Sequence, residues 1–140
     1  MIYLIKIIFL IFISFSTFAN SNEVNEIIFK INNKVFTNID LEKRIEYIAL
    51  TNNLTPTEIS NSEKEQIFND FISSLIFYEY YIQNKIVYKN LNEEIELIYN
   101  TYFQNAKDLD ETQIKKYKLN IKKDLIRKKI IEKNLNSRKK

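Results

Sequence analysis

The chain has 140 residues, 45% of them hydrophobic and 28% charged, with a formal net charge of +3; that size suits one domain, and that apolar share excludes wholesale disorder. It contains no Gly, Cys or His. Those absences exclude disulfides, zinc–thiolate and His-ligated metal sites, Cys nucleophiles, Ser-His-Asp triads, imidazole bases and the glycine loops that let backbone approach phosphate.

Lys6 is followed by an apolar run over residues 7–18, and Thr17-Phe18-Ala19 places small residues at both positions of an A-x-A-like cleavage site. This layout predicts that residues 1–19 are a secretory signal peptide cut between Ala19 and Asn20. The run is shorter than the ~20 residues a spanning helix needs, which argues against an anchor. Export would place the mature protein outside the cytoplasm, in a bacterial periplasm, where a chain without cysteine must be stabilised by packing. Residues 20–135 are expected to form one helical domain, and residues 136–140 a basic disordered tail.

After a polar stretch over residues 20–26, two β-rich runs, 27–31 and 35–37, flank Asn32-Asn33-Lys34. Asn tolerates positive φ, so the pattern predicts a hairpin, which must pack on something because two strands alone are marginal. A first helix is expected from Thr37-Asn38 to Thr51, capped by one of those two residues, with Leu41, Ile45, Ile48 and Ala49 as its apolar stripe. Pro56 lies in the loop that follows. Ser62-Glu63-Lys64-Glu65 has the spacing of a capping box and opens a second helix over residues 63–84, whose wide apolar face marks it as central. A second box, Asn90-x-x-Glu93, opens a third helix running to about residue 105, with Leu91, Ile95, Ile98, Tyr99, Tyr102 and Phe103 on its buried side. Asp110 caps a fourth helix over residues 111–134, with apolar positions Ile114, Tyr117, Ile121, Leu125, Ile130, Ile131 and Leu135. The fold class is thus mainly α: a short N-terminal β-hairpin followed by about four helices.

Charge is divided along the chain. Residues 20–113 hold eight Lys/Arg against sixteen Asp/Glu, whereas residues 114–140 hold twelve against two. Attraction between an acidic body and a basic last helix explains the split most simply. Contact of Lys122, Lys123, Arg127, Lys128 and Lys129 with an anionic membrane is the sharper reading, and export together with the acidic remainder argues against nucleic acid. Glu93, Glu94 and Glu96 are too close in sequence to face one another as an acid–base pair. Asp108-Leu109-Asp110 lacks the glycine and terminal Glu of a calcium loop. No catalytic residue, metal site or cofactor is expected. The aromatic run Phe77, Tyr78, Tyr80 and Tyr81 covers more than one helix face, and its exposed members suit apolar peptide binding.

The hairpin and helix start over residues 31–44, the central-helix segment Gln66-Ile67-Phe68-Asn69-Asp70-Phe71-Ile72, and the link and acidic helix start over residues 86–95 occur in one order. That ordered set resembles the N-terminal domain of SurA-like periplasmic chaperones, and more distantly the PrsA and trigger-factor-like chaperone modules. The segment around residues 105–110 is shorter than in that family, and the chain lacks the glycine-rich, histidine-bearing parvulin prolyl isomerase domains into which the family continues. The resemblance implies a non-enzymatic, ATP-independent holdase for unfolded outer-membrane proteins. Its expected peptide-binding residues are Phe71, Leu75, Tyr78, Tyr81, Tyr99, Tyr102 and Phe103. The alternative is an adaptor that binds one folded partner or an anionic membrane surface.

Overall fold

A computed structural model describes residues 25–103 and 109–137. The expected signal peptide with its Ala19–Asn20 cleavage point, and most of the basic tail, lie outside those residues. The described chain is mainly helical, with a two-stranded hairpin ahead of four helices.

Strands β1 (Ile27–Ile31) and β2 (Lys34–Thr37) pair antiparallel, with Ile31 opposite Lys34, Phe29 opposite Phe36, and a register shift between Ile27 and Phe29. Asn32 makes the turn at φ 53°, the left-handed region that Asn enters more easily than other side chains. The cross-strand partners Phe29 and Phe36 stack at 4.9 Å. Both meet Phe71 edge-on, at 5.9 and 6.0 Å, and Phe29 also meets Phe68 at 5.9 Å. This aromatic quartet supplies the packing that a lone hairpin lacks.

Helix α1 (Asn38–Thr51) follows β2 without a loop. Thr37 ends the strand in extended backbone and caps the helix, its N–H donating to the Asp40 carboxylate at 3.0 Å. Helix α2 (Asn61–Gln83) starts two residues before the expected position. Its box is Ser60–Glu63, not Ser62–Glu65: the Glu63 N–H donates to Ser60 Oγ at 3.3 Å and the Ser60 N–H to Glu63 Oε2 at 2.8 Å. Both pairs have the required spacing. The choice falls to Ile59, which is buried with Ile45, Ala49 and Ile67 and so fixes where the loop ends.

Helix α3 (Leu91–Phe103) begins without the expected box. Asn90 takes φ 64°, whereas an N-cap side chain works from extended backbone. Helix α4 (Glu111–Ser137) is capped as read, by reciprocal 2.8 and 2.9 Å bonds between Asp110 and Gln113, and it continues through Ser137, past the expected end of order.

The central helix is α4, not α2. It packs most extensively on α2, then on α3, and also touches α1. Asp70 meets Arg127 and Tyr78 meets Lys123, so α2 runs antiparallel to α4; Glu94 meets Lys129 and Phe103 meets Tyr117, so α3 does too. The main core joins Tyr47 of α1, Leu91, Ile95 and Phe103 of α3, and Tyr117, Ile121, Ile126 and Ile130 of α4. The width of the α2 apolar face misled because part of it stays in solvent: Ile76, Tyr80 and Ile82 are exposed. No described helix is long and apolar enough to cross a membrane.

Candidate functional site

The bundle is pinned through Arg44, the last residue of the hairpin and helix start over residues 31–44, whose burial and partner the sequence does not show. Arg44 sits between Leu41 and Ile48 in the α1 stripe and is only 2% exposed. Its guanidinium holds Asp124 of α4 with two bonds, Nη2–Oδ1 at 2.7 Å and Nη1–Oδ2 at 3.0 Å, and Nη1 also donates to Asn120 Oδ1 at 3.2 Å. It lies 5.0 Å over the Tyr47 ring, whose hydroxyl reaches Asp124 at 3.5 Å. Burial, with the Asp124 charge adding to it, pushes the Tyr47 phenol far above its ordinary value, so it stays neutral. The planar two-pronged fork makes Arg, rather than Lys, suited to this place.

Over this network opens a groove of about 780 Å³. Tyr47, Ile121 and Asp124 line it, together with the aliphatic side chains of Ile98 from α3 and of Leu125 and Ile131 from α4. Charged pairs border it: Arg127 with Asp70 at 3.0 Å, and Lys128 with Glu132 at 4.0 Å. Ile131 is 40% exposed, and Leu135, one turn further along α4, is 53% exposed. The apolar lane therefore continues along the helix. The arrangement can hold apolar side chains against aliphatic walls while charged pairs keep its border in water.

The seven residues expected to bind peptide fall elsewhere. Phe71, Leu75 and Phe103 are buried in the core, and Phe71 also lines the floor of a second, smaller cleft. Phe71 is committed to the hairpin, and Phe103 stacks on Tyr117 at 4.9 Å. Tyr78, Tyr81 and Tyr99 are half-buried. Tyr78, Tyr81 and the link residue Tyr88 form a stack with spacings of 6.2 and 6.0 Å, with Lys123 5.9 Å from Tyr78 and Lys129 5.7 Å from Tyr88. Tyr99 packs on Phe103 beneath Lys118. Of the seven, Tyr102 alone is exposed, and none of them lines the groove. Of the residues that do line it, Ile98 and Leu125 also pack against the main core, as the sequence pattern predicts, whereas Ile131 is exposed on the groove wall. The signal for Ile131 is the drift of the α4 stripe: Ile126 and Ile130 take the core position and turn Ile131 and Leu135 outward.

Part of the basic face of α4 is paired within the molecule. Arg127 pairs with Asp70, Lys129 with Glu94 at 2.7 Å, Lys118 with Glu96 at 2.7 Å, and Lys128 with Glu132 on its own helix. Lys123 is pressed towards Tyr78, and half-buried Lys122 lines a small cleft beside Tyr81 and Tyr88. The charge split thus joins acidic α2 and α3 to basic α4. No protein-family model, curated protein or solved structure matches this chain.

Proposed function

We propose that this chain is a small, non-catalytic holdase acting in the periplasm, which covers apolar segments of unfolded outer-membrane proteins in the groove above the Arg44–Asp124 pair. The observation that carries this reading is the groove itself: about 780 Å³, walled by Ile98, Leu125 and Ile131 and continued by exposed Leu135. A groove of that size accepts a few large side chains. Barrel strands alternate apolar and polar residues, and before insertion they expose both apolar side chains and unpaired backbone. Aliphatic walls with a charged border suit such segments without sequence specificity. Binding the unfolded chain lowers its free concentration and needs no nucleotide. The order of hairpin, capped helix, long helix and basic helix, which resembles SurA-like N-terminal domains, supports the same reading and its location.

The test is light scattering of a urea-denatured outer-membrane β-barrel protein diluted into buffer with a several-fold molar excess of the purified chain. The wild-type protein suppresses aggregation, and an Ile98→Asp/Ile131→Asp variant, which places two carboxylates in the groove, loses most of that effect. Absence of suppression by the wild type overturns the proposal. A single stoichiometric complex with one folded partner, without affinity for denatured barrels, is instead the behaviour of an adaptor.

A further inference from the structure

A second cleft, of about 380 Å³, opens on the side of the bundle where the hairpin, α1 and α4 converge. Its apolar lining is Phe36, Phe71, Tyr117 and Leu119, of which Phe71 and Tyr117 are buried and form a floor. Four cations surround that floor: Lys43 and Arg44 from α1, and Lys116 and Lys123 from α4. The lining acids are Asp40, whose carboxylate is engaged by the Thr37 cap, and Glu46. Arg44 is neutralised by Asp124. Counting these groups together leaves one uncompensated positive charge.

The Asp124 and Asp40 charges act on Lys123 only from beyond ion-pairing distance. Lys43, Lys116 and Lys123 form no ion pair among the described residues. Lys123 is the sharpest case, because the residue is half-buried and its ammonium lies 5.9 Å from the Tyr78 ring centre. Burial, with the Arg44 charge adding to it, holds it below the ordinary lysine value. A free surface lysine avoids such a position, since desolvating a charge without a partner is costly. The buried Nε of Arg44 likewise has no partner.

We propose that this cleft binds a monocarboxylate carried on an apolar group, with Lys116 and Lys123 holding the carboxylate and Phe36, Tyr117 and Leu119 taking the apolar body. A single negative charge matches the residual charge of the lining, and lysine ammonium groups act as point charges that accept a carboxylate in many orientations. Two sources supply such a carboxylate, the C-terminus of a polypeptide with an apolar last residue and a free fatty acid. The inference does not depend on client binding in the larger groove.

The experiment is isothermal titration of the purified chain with two matched probe pairs: acetyl-Ala-Ala-Phe with a free carboxylate against its carboxamide, and octanoate against octanamide. At least one carboxylate binds no less than tenfold tighter than its amide, and that preference weakens as salt is raised. A Lys116→Gln/Lys123→Gln variant, checked by circular dichroism for intact folding, loses that tenfold preference. Preference within the peptide pair identifies a chain terminus as the source, and preference within the octanoate pair identifies a free amphiphile. Absence of binding by both carboxylates, equal binding of amide and carboxylate, or an unchanged affinity in the folded double variant overturns the proposal.

Discussion

Removing either partner of the Arg44–Asp124 pair destabilises the bundle unequally, and the structure sets the order. Arg44 is 2% exposed, whereas the Asp124 side chain is 27% exposed. Breaking a buried ion pair costs roughly 3–5 kcal/mol because the survivor is left charged and dehydrated. In Asp124→Ala the survivor is the guanidinium, sealed from water and left with the Asn120 amide oxygen at 3.2 Å, so the cost falls near the top of that range, about 4–5 kcal/mol. In Arg44→Met the survivor is a carboxylate that water can reach, while the Met stem keeps the packing of α1, so the cost is about 3 kcal/mol. A double variant, Arg44→Met/Asp124→Leu, removes both charges together and stays within about 1–2 kcal/mol of the wild type. Urea unfolding followed by circular dichroism reads these differences; with a slope of about 2 kcal/mol/M, Asp124→Ala moves the midpoint by roughly 2 M. Lys118→Ala, which removes a surface pair with Glu96, shifts it by less than about 0.5 M. An Arg44→Met cost equal to or above that of Asp124→Ala, or a cost below about 1 kcal/mol for both, refutes the burial argument.

Three further outcomes follow from the same geometry. Ser60→Ala lowers stability by about 1 kcal/mol in urea unfolding, and Ser62→Ala changes it by less than half of that, because Ser60 alone caps α2. Ile126→Ala, at a side chain with 0% exposure, costs about 3–4 kcal/mol, whereas Ile131→Ala on the groove wall costs under about 1 kcal/mol; similar losses at the two sites contradict the assignment of core and groove. Alkaline pH is destabilising. Burial raises the phenols of Tyr47, Tyr78, Tyr88 and Tyr117 above their unfolded value of 10.0, so the stability they contribute is complete below pH 10 and is lost as pH rises and the unfolded chain ionises first. Lys123, held below its unfolded value of 10.5, works in the opposite direction as one group against four. Denaturation midpoints that rise between pH 10 and 11 contradict this balance, and Tyr47→Phe makes the decline shallower.

Local chemistry carried most of the fold into the sequence. Asn32 at the turn, Thr37–Asp40 at the start of α1 and Asp110–Gln113 at the start of α4 each work through a side chain within three residues, and short-range patterns report such features well. The Ser62–Glu65 reading failed because two equal boxes overlap and burial of Ile59, a tertiary event, decides between them. The site was much less legible. Aromatic residues marked as binding groups, Phe71 and Phe103 among them, are what a core of this size buries first, so composition could not separate floor from surface. Arg44 did leave a signal: a charge in phase with Leu41 and Ile48 needs a partner, and Asp124 is one of only two acids in the last 27 residues. Which helix lay opposite was a matter of topology, and a single sequence does not print it.

Photo-crosslinking from defined positions addresses the groove itself. A benzophenone-bearing side chain is placed at Ile98 or Ile131 on the groove, or at exposed Glu42 on α1, and each protein is illuminated with a urea-diluted outer-membrane β-barrel protein. Positions 98 and 131 give strong adducts with the unfolded barrel and none once it is folded in detergent, while position 42 gives little in either state. Equal labelling from all three positions, or adducts from position 42 alone, contradicts a client-binding role for the groove.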